Sequence, residues 1–161
     1  MRIFRIFFLL YLLAFATGFS QTQSLKVIKV IDGDTYYCLD KNEKKYKIRL
    51  KGTDCPELNQ KFGKKAKENV ENLILNKWVE VVFDDKDIYN RKLAWIYLPN
   101  EGILNEIVLI NGWAWPYPLN NPKIDQKMIQ LATKAKSAKL GLWADPNPIP
   151  PWEWRKKKKK N

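Results

Sequence analysis

A chain of 161 residues with 29 lysines and arginines against 17 acids carries a formal charge of +12. Its length suits one domain with one sizeable core, and its charge implies an anionic partner: nucleic acid, an anionic membrane or an acidic envelope polymer. The chain contains no histidine, which removes the usual general base, the usual zinc ligand and every Ser-His or Cys-His nucleophile scheme. Carboxylates, arginines and a bound hard metal ion remain, a set suited to phosphate chemistry. An aromatic content of 13 % speaks for a folded core rather than a disordered basic chain.

The first twenty residues stand apart. Arg2 and Arg5 precede the apolar run Ile6 to Phe15, and Gly18 and Ser20 offer small residues before a cut at Gln21, with Ala14-Phe15-Ala16 as a competing site. The run is short of the about 20 apolar residues of a membrane span. Residues 1–20 are therefore read as a signal peptide or, alternatively, an N-terminal membrane anchor, and the protein as secreted, periplasmic or held at the cell envelope. Export permits a disulfide. Cys38 and Cys55 are compatible with a bond or with two buried thiols.

Leu25 to Val30 alternates with lysines as a half-buried strand, Asp32-Gly33-Asp34 is a turn, and Thr35 to Leu39 is a second strand. Asp40 to Glu43 makes a polar hairpin loop before a third strand through Tyr46, Ile48 and Leu50. Phe62, Ala66, Val70 and Leu73 predict an amphipathic helix over 60–75. Trp78 to Phe83 and Lys92 to Leu98 are two more strands around a polar loop, Asp84 to Arg91. Asp84, Asp85 and Asp87 are read as solvated loop acids. Leu104, Ile107 and Val108 suggest a short helix ending near Gly112. Asn121 as N-cap and Pro122 at the first helical position predict a third helix, with Ile124, Met128, Leu131 and Ala135 as its buried stripe and Gly141 as its stop.

Beyond residue 145, Pro146, Pro148, Pro150 and Pro151 predict an extended path. Trp143, Trp152 and Trp154 strap it back onto the domain, and Arg155 with Lys156 to Lys160 reads as a solvated basic run. Five strands and three helices make an α+β, mainly β architecture: one small barrel flanked by helices. The domain is drawn over 21–145, followed by a strap and basic tail over 146–161.

Four features fall in order along this scaffold: Ile31-Asp-Gly-Asp-Thr35, Arg49 eight residues before Glu57, Asp54-Cys-Pro-Glu57, and Tyr89-Asn-Arg91 opening the last strand. Read singly, Asp32 and Asp34 are turn formers, Asp54 to Glu57 is a loop leading to a helix, and Arg49 and Arg91 are surface arginines. As an ordered set they resemble the staphylococcal nuclease (thermonuclease) family across about residues 25–145. The ending Gly141 to Arg155 resembles that of its exported bacterial members.

The resemblance implies a five-stranded OB-fold barrel with three flanking helices, a calcium cofactor, and phosphodiesterase activity on DNA and RNA that leaves 3′-phosphate ends. It assigns Asp34 and Asp54 as calcium ligands through their side chains, and the position of Cys55 as a ligand through its backbone carbonyl. Glu57 holds or deprotonates the attacking water, Arg49 and Arg91 grip the phosphate, and Tyr89 and Tyr117 fall at substrate-binding positions. Cys55 replaces a threonine of the type member, and Ile88 replaces a lysine near the substrate nucleotide. Asp32 is expected to brace the site rather than ligate, and Trp113 and Trp115 to pack. A monomer without an obligate protein partner is expected. The alternative is a catalytically inactive OB-fold nucleic-acid-binding module, which would have no physical need for the full set Asp34, Arg49, Asp54, Glu57 and Arg91.

Overall fold

The alternation read between residues 25 and 50 folds into three antiparallel strands, the first of which starts earlier, at Thr22. A computed structural model describes residues 22–86, 91–117 and 125–158. The segment 1–20 expected as signal or anchor, and Tyr89, lie outside these. Strand β1 (Thr22–Val30) pairs with β2 (Thr35–Leu39), which pairs with β3 (Lys45–Leu50). The two-residue β4 (Thr53–Asp54) follows, then helix α1 (Gly63–Ile74), β5 (Trp78–Lys86) and β6 (Lys92–Leu98).

Closure comes from two long-range pairings. β5 runs antiparallel to both β1 and β6, while β3 runs parallel to β6 with Arg49 opposite Leu93. The strand cycle β1-β2-β3-β6-β5 is the expected OB-fold barrel. Irregularities between Val27 and Lys29 and between Phe83 and Lys86 supply the local bending that a small closed barrel needs. Leu25, Val27, Tyr36, Ile48, Val81 and Ile96 fill its interior with no exposed surface. Ala66, Val70 and Ile74 of α1 are as fully buried, which explains the helical spacing of their apolar positions.

β7 (Gly102–Ile103) pairs with β6 and leads into α2 (Leu104–Ile110). At the start of α2 the buried Asn105 accepts the Ile96 N–H at 3.1 Å and donates to the carbonyls of Lys51 at 2.9 Å and Ala94 at 3.0 Å. It ties α2 to β6 and to the end of β3. Asn105→Ala leaves three backbone groups without that partner, so a loss of about 3 kcal/mol is expected. For a chain of this size that is a melting point lower by about 6–12 °C, read by calorimetry.

β8 (Trp115–Pro116) pairs with β4, and α3 (Gln126–Ser137) packs beside α2. Three expectations change here. The cap of α3 is Asp125, whose Oδ1 accepts the Lys127 N–H at 2.8 Å; the Asn121-Pro122 signal lies outside the described residues, and the helix itself begins only at Gln126. β5 continues to Lys86, so Asp84 belongs to a strand, where it ion-pairs with Lys51. After a 3-10 turn at Gly141–Ala144, the proline segment ends in a fourth helix among the described residues, α4 (Pro151–Lys158). It begins with Pro151, a first helical position where a missing N–H costs nothing, and Glu153 and Trp154 donate backbone N–H groups to the Pro150 carbonyl. No helix of the described residues is long and apolar enough to cross a membrane.

Candidate active site

The turn between β1 and β2 is built by its own acids. Asp32 Oδ1 accepts the Asp34 N–H at 3.1 Å, and the Tyr36 hydroxyl donates to the Gly33 carbonyl at 2.7 Å. Asp34 is thereby turned inward. Its Oδ1 accepts from Thr35 Oγ1 at 3.0 Å and its Oδ2 accepts the Cys55 N–H at 2.7 Å. Gly33 permits this approach, because a Cβ there would stand 2.8 Å from both Cβ and Sγ of Cys55. The two acidic motifs, twenty residues apart, are locked together at that contact.

The pairing of β4 with β8 sets Asp54 opposite Trp115 and leaves its side chain 1 % exposed. Arg49, carried on β3, lies between the two buried acids. Nη1 donates to Asp34 Oδ1, and Nη2 donates to Asp54 Oδ1 at 2.8 Å and to the Thr53 carbonyl at 3.5 Å. Burial pushes the Asp34 carboxyl up to about 7, opposed by Arg49 and reinforced by Asp32 and Asp54. Desolvation pulls on Arg49 in the opposite sense, but Asp34 and Asp54 outweigh it and hold the guanidinium charged. This is a centre with more buried negative charge than one arginine neutralises.

Glu57 follows Asp54 by three residues, in the loop before α1, with its side chain 37 % exposed. Its backbone is fixed by a small turn: Gln60 N–H donates to the Glu57 carbonyl at 2.8 Å, and Glu57 N–H donates to Gln60 Oε1 at 3.2 Å. Arg91 immediately precedes β6, whose Lys92 and Leu93 lie beside Ile48 and Arg49. The two arginines therefore sit on neighbouring parallel chains.

Arg155 also enters the centre. Its Nη1 donates to Glu57 Oε1 at 2.8 Å and to Asp54 Oδ1 at 3.2 Å, and its Nη2 donates to Asp54 Oδ2 at 2.7 Å. The hydrogen bonds to Asp54 and Glu57 raise its pKa. The strap that delivers it is fastened at several points. Trp152 lies edge-on to Trp115 at 5.6 Å and 5.8 Å from Tyr117, Trp154 Nε1 donates to Asn59 Oδ1 at 3.3 Å, and Gln60 Nε2 donates to the Ile149 carbonyl at 2.6 Å.

Residues 47–145 match the family described as staphylococcal nuclease homologue. The chain belongs to the staphylococcal nuclease family. Membership makes it a nuclease, a hydrolase whose substrate is nucleic acid. An uncharacterized endonuclease of Haemophilus influenzae is 38 % identical over 141 residues, 88 % of this chain and 78 % of its own. An uncharacterized endonuclease of Escherichia coli O157:H7 is 35 % identical over 133 residues, covering 83 % and 85 %. A micrococcal nuclease of Shigella flexneri is 32 % identical over 142 residues, covering 83 % and 81 %.

Of the residues singled out in the sequence, Asp34, Arg49, Asp54, Cys55 and Glu57 of this nuclease come together, with Asp32 bracing the turn. Tyr117, 40 % exposed, lies beside Trp152. Trp115 and Trp143 pack at 4.3 Å between centroids, as packing residues should. Arg155 was missed. It lies 98 residues beyond Glu57, and no local spacing connects them; the Trp-Glu-Trp-Arg run after the prolines was the available cue.

Both cysteines are free and buried. Burial pushes the Cys38 thiol up to about 12 and the Cys55 thiol well above its ordinary value, with Asp34 and Asp32 adding to the latter. Neither offers thiolate at neutral pH. A chromogenic disulfide reagent is therefore expected to find no reactive thiol in the folded protein, and both once it is denatured.

Proposed function

We propose that this nuclease is calcium-dependent and hydrolyses phosphodiester bonds of DNA and RNA by in-line attack of water, leaving 3′-phosphate ends. The observation that carries the reading is Arg49 held between the buried carboxylates of Asp34 and Asp54, with Glu57 alongside.

The donor set fits a hard cation. Asp34 and Asp54 supply oxygen, and they are close enough to share one guanidinium, so a divalent ion there would meet two carboxylates at once. Cys55, with its thiol kept protonated, has its carbonyl to offer. Among the described residues no three acidic, cysteine or histidine side chains gather into a metal-binding group. The remainder of a shell of about six to eight oxygens therefore falls to carbonyl, water and phosphate oxygens. Calcium held there by Asp34, Asp54 and the Cys55 carbonyl would neutralise charge on the phosphate and help orient the nucleophile.

The chain's own groups do the rest. Glu57 accepts the proton of the attacking water. Arg49 and Arg91 present rigid donor forks to the charge developing on the phosphoryl oxygens. Arg49 has five N–H donors, and its bonds to Asp34, Asp54 and the Thr53 carbonyl do not use all of them.

Plasmid and single-stranded oligonucleotide incubated with calcium or with chelator test this directly. Cleavage with calcium alone, giving fragments that need phosphatase before 3′ extension, is the expected result. Binding without calcium-dependent cleavage would return the reading to an inactive binding module. Cleavage that persists in chelator would remove the metal from it. Export and a monomeric state complete the reading, supported by the residue pattern of 1–20 and by Asp34, Arg49, Asp54, Glu57 and Arg155 meeting within one chain. A mature N-terminus at Gln21 and a monomer mass in solution are expected.

A further inference from the structure

We propose that Arg155 is a positioning residue of the reaction centre, delivered by the C-terminal helix to fix Glu57 against Asp54. The proposal rests on the nuclease reading and assigns a role to a segment outside the matched residues 47–145.

An ordinary surface ion pair between Arg155 and one acid would mean little. The contact here differs in three ways. Asp54 is 1 % exposed and gives both oxygens to Arg155, a two-point geometry that fixes the guanidinium plane. Asp54 also binds Arg49, so Arg155 joins a cluster of guanidiniums and carboxylates rather than an isolated pair. Nη1 is shared between Asp54 and Glu57, and this single nitrogen links the candidate metal ligand to the candidate base.

Glu57 is the group that most needs such a link. Its side chain is 37 % exposed on a loop, with several rotamers open to it, whereas a general base must stay within reach of one water. Arg155 removes that freedom. The guanidinium is itself held by a helix anchored through Trp152, Trp154 and the Gln60–Ile149 hydrogen bond. The strap therefore contributes order to the loop that carries the base.

Arg155→Met and Arg155→Lys, assayed on a short oligonucleotide with calcium, test the role. Misplacement of a catalytic group by about 1 Å costs on the order of 100-fold. We expect kcat to fall roughly 10- to 100-fold in the methionine variant, with KM within about twofold. Lysine should fall between, since it restores charge without the fork. An unchanged or raised kcat in Arg155→Met overturns the proposal and makes Arg155 idle or a competitor of the cation. A melting cycle over Glu57→Ala and Arg155→Met, each of which removes the contact, reads it without any activity. Combined losses smaller than their sum by about 2 °C are expected, and strictly additive losses overturn the proposal. A wild-type protein that cleaves nothing would sink the nuclease reading instead, with the melting cycle still deciding the contact.

Strand register carries a second, independent inference: we infer that the outer face of β1, β2 and β3 is a track for single-stranded nucleic acid leading away from Arg49. Lys29, Tyr37 and Lys47 lie in one cross-strand row, and Trp78, Lys26, Leu39 and Lys45 in the next. Lys45, Lys47 and Arg49 share one face of β3 at spacings of roughly 7 Å. Among the described residues none of the four lysines has an acidic partner. Like charges gathered on one face are a cost that a polyanion removes. Tyr37 already holds Lys45 Nζ 4.1 Å from its ring centroid, and Trp78 is 44 % exposed. Aromatic faces among lysines suit bases and phosphates of a single strand.

The test is binding of a twenty-residue oligothymidylate in chelator, followed by fluorescence anisotropy at several salt concentrations. The double variant Lys45→Gln with Lys47→Gln should bind more weakly and flatten the log–log salt slope by about 1.4. Its hydrolysis of a dinucleotide, too short to reach the track, should stay unchanged. Equal slopes for variant and wild type overturn the track. Equal losses on the dinucleotide place the lysines in the reaction centre and overturn it as well.

Discussion

Glu57→Gln is expected to lower turnover of single-stranded DNA about 10²- to 10⁴-fold, the usual contribution of a general base, while the protein melts within a few degrees of the wild type. The amide keeps the size of the carboxylate and its oxygen still accepts from Arg155, so the loop has little reason to move. What is lost is the proton acceptor. The side chain is 37 % exposed, which limits the stability tied to its charge. Full calcium-dependent hydrolysis by this variant would remove Glu57 from the mechanism. Arg49→Lys is the companion case. Lysine supplies charge but cannot reach Asp34, Asp54 and the Thr53 carbonyl from one rigid plane, and a loss of roughly 10²- to 10³-fold is expected from a donor lost in the transition state.

Much of the barrel was readable because its strands bury alternate residues. Tyr46, Ile48 and Leu50 face in while Lys45 and Lys47 face out, and this period of two survives in the bare sequence. The parallel closure of β3 on β6 was not readable that way. It joins segments separated by a helix and two strands, and only the ordered resemblance implied it.

Local signals failed where two of them competed. The proline run favoured an extended path, yet proline is also a good first helical residue, and Pro151 takes that role in α4. Asn121 and Pro122 form a plausible cap, yet Asp125, one residue before Gln126, is the side chain that receives the orphan N–H of Lys127.

The acids of the site were legible as motifs, since Asp34, Asp54 and Glu57 sit in short runs with glycine and proline. Their mutual geometry was not. It depends on Gly33 admitting Cys55, on β8 backing β4, and on a guanidinium from α4, all of them contacts between distant segments.

Gly63→Ala is expected to damage fold and catalysis together, because one backbone contact supports both. Gly63 is the first residue of α1, and a Cβ there would lie 1.8 Å from the Glu57 carbonyl oxygen and 2.6 Å from the carbonyl carbon. Those neighbours are backbone, so no side-chain rotation relieves the clash. Either α1 or the loop must give way. α1 is held by Ala66, Val70 and Ile74, all fully buried, and shifting it would open the core along its length. The loop is the softer partner, and it carries Glu57 together with Gln60, which anchors the strap at Ile149. Overpacking of this kind costs about 3 kcal/mol, a melting point lower by roughly 6–12 °C. Displacing Glu57 by about 1 Å adds a fall in kcat on the order of 100-fold, measured well below the melting transition. Lys64→Ala, one residue on and exposed, should change neither quantity. Wild-type turnover in Gly63→Ala at a lowered melting point would show that the helix yields rather than the loop, and that the base is not set by this contact.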